Sequence, residues 1–343
     1  MSEIMSLEQF AEKVKDSVVG HLPLEFSGAT VEIQKRRKVN DEPMALSVVP
    51  EGHDNQIAPC VYLDRFYGQY MDGSSLDDVI DTIADVVSNA YAEIDKVPYR
   101  ENPMDKMDKS RVFMQLINTE SNKELLENTP HREFNDMSVI YRVLYSIDET
   151  GMQSVVITND LAEVMGVDEQ ELFDLASVQT KELFPPKIQS LASVLGGFMM
   201  DAGISDPDEI SKELGFDDEF GMYLVSNEYN IQGATNMVYD DVLYEASGKL
   251  GENVYVLPSS IHEFLIVPAS MGEPDELSKM VTEINREHVS QVDRLSNQVF
   301  YYDRENRELK QVSNVPIKGI SDTDLNQASP MMFHSAPQAA IAR

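Results

Sequence analysis

The chain has a single cysteine, Cys60, among 343 residues. One thiol closes no intramolecular disulfide, and it cannot build a multi-cysteine zinc site from one chain. Basic side chains are also few, 27 against 60 acidic ones, for a formal charge of −33. A field of that sign repels DNA, RNA and anionic membranes and favours cations and basic partners. Direct nucleic-acid binding is therefore not expected, and a basic protein is the partner class that charge favours. Long hydrophobic runs are missing too. The most apolar stretches, residues 191–200 and 264–269, fall short of the roughly 20 residues of a membrane-spanning helix. The first ten residues, MSEIMSLEQF, are acidic and periodic, whereas a secretory signal is basic and then apolar. Together these features predict a cytoplasmic protein with no membrane contact, and they leave its oligomeric state open.

The strong catalytic signatures are absent as well. There is no Gly-x-x-x-x-Gly-Lys-Ser/Thr to cradle phosphates, no Gly-x-Gly-x-x-Gly after a strand, no Gly-x-Ser-x-Gly elbow and no His-Glu-x-x-His. No cofactor and no metal are expected.

What is present is an ordinary globular composition, 42% hydrophobic and 25% charged, in a chain long enough for one large or two medium domains. Leu7, Phe10, Ala11, Val14 and Val18 recur at helical spacing behind Ser6 and Gln9, a capping-box pair. Residues 30–34 alternate as a strand, with 44–49 as the partner, and Lys35-Arg36-Arg37-Lys38 between them reads as a solvated hairpin rim. Tyr62, Phe66 and Tyr70 sit at i, i+4 spacing, which is core packing of a short helix before a longer one over 76–94. Residues 99–108 read as a loop and 112–126 as a helix. Residues 139–145 and 154–158 form a hairpin closed through 149–151, followed by helices over 159–165 and 168–184, the second stopped by Pro185-Pro186. Asp206-Pro207 starts a helix. Residues 222–226, 254–257 and 262–267 are strands, 238–246 and 276–288 helices, and 299–302 with 308–312 a final hairpin.

This order predicts an α+β (mixed α/β) fold, with mixed or antiparallel sheets built from hairpins and helices packed on them. A strand–strand–helix–helix order occurs twice, which suggests an internal duplication. The divisions expected are an N-terminal α+β region over 1–135, a C-terminal α+β region over 136–320 and a disordered tail over 321–343.

One segment concentrates chemistry: Leu257-Pro258-Ser259-Ser260-Ile261-His262-Glu263-Phe264. Two hydroxyls, an imidazole and a carboxylate fall within five residues. A catalytic reading makes His262 a general base or metal ligand, Ser260 a nucleophile or substrate contact, and Glu263 and the loop residue His131 their companions. A structural reading makes the serines turn caps and His262 a satisfied imidazole. Strand alternation favours the second, because His262 and Glu263 would then point to opposite faces. Cys60, at an expected helix start, reads as a small buried side chain. His288, late in a helix, suits the macrodipole.

Three stretches carry a resemblance. The first joins Leu116-Ile117-Asn118, Asn122-Lys123-Glu124-Leu125-Leu126 and Pro130-His131-Arg132-Glu133-Phe134. The second joins Tyr223-Leu224-Val225-Ser226-Asn227, Gly233-Ala234 and the segment from Leu257 to Glu263. The third joins Met280-Val281-Thr282-Glu283-Ile284-Asn285, Leu295-Ser296 and Val299-Phe300-Tyr301-Tyr302-Asp303. With the opening helix and hairpin, they resemble an uncharacterised family of gut anaerobes, domain of unknown function 5688. The resemblance implies a bacterial cytoplasmic protein, often associated with mobile elements, with no established activity and no assigned catalytic residues.

The function expected first is that of a non-enzymatic acidic binding or regulatory protein with a basic partner. The alternative is a hydrolase or metal-dependent enzyme centred on Ser260, His262 and Glu263. A scaffold with no dedicated site comes third. Whether the chain is an enzyme stays open at this point.

Overall fold

The computed structural model describes residues 5–52, 59–94, 108–148, 151–201 and 221–314. The expected loop over 99–107, the closure of the 139–158 hairpin at 149–150, the helix start at Asp206 and the tail over 321–343 lie outside the described residues. The chain divides into two compact units, 1–106 and 107–343.

In the first unit, helix α1 (Leu7–His21) forms where the apolar spacing predicts it. Ser6 and Gln9 close the capping box, and Phe10, Ala11, Val14 and Val18 are buried. Strands β1 (Thr30–Lys35), β2 (Met44–Val49) and β3 (Cys60–Tyr62) make an antiparallel sheet in that order. Helices α2 (Asp64–Met71) and α3 (Leu76–Ile94) follow and share a core with α1 and β2 that includes Leu46, Phe66, Ile80 and Ile83. The basic cluster is a rim: Lys35 and Arg37 pair with Glu42, and Lys38 sits over the Tyr62 ring. The aromatic row divides, with Phe66 in the core and Tyr62 exposed at the end of β3. Cys60 lies in β3 and not at a helix start, and it is exposed, 3.1 Å from the Ser47 hydroxyl.

The second unit contains two antiparallel sheets. Strands β4 (Val112–Asn118), β5 (His131–Phe134) and β6 (Met137–Asp148) pair in the order β4-β6-β5, and β7 (Gly151–Val156) also pairs with β6. A short α4 (Lys123–Leu126) lies between β4 and β5, while α5 (Asn159–Met165) and α6 (Glu169–Leu183) follow β7. After β8 (Pro186–Ser190) and α7 (Leu191–Asp201) come β9 (Tyr223–Asn227), a 3₁₀ turn (Gly233–Val238), α8 (Asp240–Leu250), β10 (Val254–Leu257) and β11 (Phe264–Pro268). Helix α9 (Pro274–Glu287) and strands β12 (Phe300–Asp303) and β13 (Glu308–Gln311) complete the unit. The second sheet has the order β13-β12-β10-β11-β9-β8. One cluster of side chains, including Met114, Tyr141, Leu172, Val225, Val256 and Phe300, joins both sheets and α6 in a single core.

The fold is therefore α+β with antiparallel sheets. Three local expectations change. Residues 112–118 form strand β4 instead of starting a helix. All seven of its side chains are buried, the polar Gln115 and Asn118 among them, so the alternation of a half-buried strand is missing and the two polar residues, three apart, imitate one face of a helix. Residues after the Pro185-Pro186 stop enter β8, where an edge position tolerates proline. The compact units divide at 106/107 and not at 135/136, because β4 and β5 pair with β6.

Candidate functional site

The segment singled out by its chemistry is a turn. Strand β10 ends at Leu257 and β11 begins at Phe264, so His262 and Glu263 precede the strand and alternation does not govern them. The turn is clamped along one side by the chain before β12: Ile261 N–H donates to the Asp293 carbonyl at 2.8 Å, Leu295 N–H to Ser259 at 3.0 Å and Ser296 N–H to Pro258 at 3.0 Å. On the other side it meets the loop after β9. The Ser226 hydroxyl donates to the His262 carbonyl at 2.8 Å, and Ala234 N–H to Ile261 at 3.2 Å. Gly233 permits this approach. A Cβ there would lie 2.4 Å from Ser226 Oγ and 2.6 Å from the His262 carbonyl oxygen.

Ser260, His262 and Glu263 do converge, and Asp293 joins them. The His262 ring has 32% of its side chain exposed, and its Nε2 lies 3.2 Å from Asp293 Oδ1. Its Nδ1 accepts the backbone N–H of Gln232 at 3.2 Å, so the neutral ring carries its proton on Nε2 and donates it to Asp293. Gln232 holds that N–H in place with a left-handed backbone, φ 54°, costly for a non-glycine residue. Ser260 is buried. Its Oγ accepts the His262 N–H at 2.9 Å.

The charges in this turn are coupled. Burial acts to lower the pKa of His262, while the hydrogen bond and charge of Asp293, with the charge of Glu263, outweigh it and hold the imidazole above its usual range. Protonation would put a second N–H on Nδ1, facing that of Gln232, so a charged ring keeps Asp293 and releases Gln232. Burial pushes Glu263 above the usual carboxylate range, against the opposing pull of His262 and Ser260.

This arrangement is not a Ser–His dyad. Both ring nitrogens of His262 are engaged by Gln232 and Asp293, and Ser260 Oγ accepts the His262 backbone N–H. Local sequence gave no sign of Asp293 or Gln232, which lie 31 and 30 residues from His262.

His131 is placed elsewhere, in β5. It is exposed, and its Nδ1 donates to the Thr129 carbonyl at 2.8 Å. It lines an open cleft of about 530 Å³ with Glu127, Asn159, Glu163, Asp168 and Glu169. Behind that cleft, Glu169 accepts two bonds from Arg132, at 3.1 and 2.9 Å, and a third from the Tyr141 hydroxyl. Burial first, then the Glu169 contact, drives the Tyr141 hydroxyl pKa upward. Among the described residues His131 shares no hydrogen-bond partner with His262. Among the described residues no group of three or more His, Cys, Asp or Glu is placed to hold a metal ion, and no helix is long and apolar enough to cross a membrane.

A family model, DUF5688, described as a family of unknown function, matches residues 7–304. No curated protein and no solved structure matches the chain.

Proposed function

Because this chain belongs to the DUF5688 family, whose description gives no activity, we propose its role from its own residues: a non-enzymatic, acidic binding protein of the cytoplasm. It engages a basic protein partner by charge complementarity. The reading extends to a regulatory role on a mobile element, in which the partner is a nucleic-acid-binding protein whose basic face becomes covered. The observation that carries it is the state of the Ser260–His262–Glu263 turn. Its buried hydroxyl caps the turn from within, and both imidazole nitrogens are engaged in joining the turn to the segments of Gln232 and Asp293. The feature directed outward is then the −33 charge. The alternative of a hydrolase or metal-dependent enzyme at this turn requires His262 to leave Gln232 or Asp293 before it could take a substrate proton.

The test is a tagged pull-down from the producing cell at about 50 mM and about 500 mM salt, followed by titration of each captured protein against its own nucleic acid. Charge-driven association weakens as salt rises. The expected result is one or a few basic proteins, retained only at low salt, that release nucleic acid as this chain is added. Partners that are retained equally at high salt, or that keep their nucleic acid, would sink the proposal.

A further inference from the structure

The loop after β9 is tied down by itself over most of its length. The buried Asn227 side chain accepts the N–H groups of Tyr229 and Ile231 at 3.0 and 3.3 Å and donates to the Ile231 carbonyl at 2.6 Å. Glu228 N–H donates to the Pro185 carbonyl at 3.1 Å, and the Tyr229 ring stands edge-on to Phe184 at 5.9 Å. Gln232, at the end of the loop, is held differently. Its N–H donates to His262 Nδ1 at 3.2 Å, while its side-chain oxygen is buried with no partner among the described residues. A left-handed backbone, φ 54°, and an orphaned buried acceptor both raise the energy of this conformation. The bond to His262 offsets those costs.

An imidazole accepts at Nδ1 only while it is neutral. Burial alone would keep a second proton off the ring, but the bond and charge of Asp293, on the chain before β12, and the charge of Glu263, its neighbour in the turn, outweigh it. Arg294, next to Asp293, turns its guanidinium to the Val289 and Arg286 carbonyls. From the loop after β9 the ring meets the neutral Gln232 N–H. Asp293 keeps Nε2 in either state, so the added proton sits on Nδ1, against that N–H.

We infer that His262 is a pH-operated latch on the loop after β9. Neutral, it fastens Gln232 to the turn before β11; protonated, it stays with Asp293 and lets Gln232 go. The release stops at Gly233, because the next residue, Ala234, donates to the Ile261 carbonyl at 3.2 Å, a bond that the ring does not touch. What loosens is one wall of the small enclosed cavity that Ile231 and Gln232 line together with Phe113 and Phe184. Acid therefore opens that cavity, and base closes it.

Amide exchange of the full chain, read residue by residue by NMR and corrected for the intrinsic pH dependence of exchange, tests the latch between about pH 5.5 and about pH 8.5, on either side of the ordinary imidazole value. Local and global opening run in opposite directions here. Because the native state takes up this proton, global unfolding becomes rarer as pH falls. The Ile261 and Leu295 amides, which donate to carbonyls, should then keep or gain protection. Gln232 should instead lose about ten-fold, the worth of one hydrogen bond. His262→Gln, which does not titrate, should abolish that loss. Asp293→Asn, which removes the charge that draws the proton to the ring, should move the midpoint of the loss down by about one pH unit, and it decides alone if His262→Gln does not fold. Gln232 protection that is constant with pH, or that falls in step with Ile261 and Leu295, would overturn the latch. So would an unchanged profile in either variant.

Discussion

Three buried or half-buried acids and bases of the second unit have their protonated forms favoured by the fold. Burial raises Asp136, although a bond from the Ser296 hydroxyl at 2.7 Å works against it, and it raises Glu263. His262 ends above its usual range because Asp293 and Glu263 outweigh burial. In each case the folded pKa exceeds the unfolded one, about 4 for the carboxyls and about 6.5 for the imidazole. The native state then binds more protons than the unfolded state across those windows, and stability falls as pH rises through them. Asp241 and Asp303, lowered mainly by side-chain hydrogen bonds, act in the opposite sense, but only below about pH 4. The urea midpoint should therefore be higher at pH 5.5 than at pH 8, and Glu263→Gln should flatten that slope. A profile that rises with pH would contradict the assignment.

At the scale of elements, the informative case is β4. Its free edge would leave alternate N–H groups unpaired, which buried backbone does not tolerate. Side chains take the place of a neighbouring strand: Val112 N–H donates to Gln179 Oε1 at 3.1 Å, Met114 to Thr180 Oγ1 at 2.9 Å, and Leu116 to Thr235 Oγ1 at 3.2 Å. Thr180 also donates to the Ala176 carbonyl. Thr180→Val should cost about 1–3 kcal/mol, the penalty of an orphaned buried donor, while Thr180→Ser should recover most of it. Denaturant titration of both variants provides the measurement, and equal midpoints for Val and wild type would show that the edge does not depend on this hydroxyl. None of this was visible in residues 112–118, where apolar residues interrupted by Gln115 and Asn118 fit a helix as well as a central strand. The cap of α1, by contrast, was legible from Ser6 with Gln9, because the box spans four residues.

At the scale of the whole chain, the two units have separate cores, one built on Phe10, Leu46 and Ile83, the other on Tyr141, Val256 and Phe300. A compact unit with its own core folds by itself. A fragment of residues 107–343 should unfold in one cooperative transition and keep the amides of β4 and β6 protected from exchange. A fragment cut instead at 135/136 loses β4 and β5 from their pairing with β6 and should be largely unfolded. Circular dichroism and hydrogen exchange on the two fragments distinguish these outcomes, and equal folding of both would place the unit boundary elsewhere.

The sequence by itself determined what depends on composition or on neighbours a few residues apart. Those features are the charge of −33, the lack of an intramolecular disulfide, the α+β class, the capped helices and the two-strand hairpins such as β1–β2 and β6–β7. Only the tertiary structure decided that 112–118 is a strand, that His262 sits in a turn between Gln232 and Asp293, and that His131 lies apart from it. The physical reason is range. Periodicity and capping are set within a turn or two of chain, whereas burial on both faces of a strand and bonds between residues about 30 positions apart exist only once the sheets have closed.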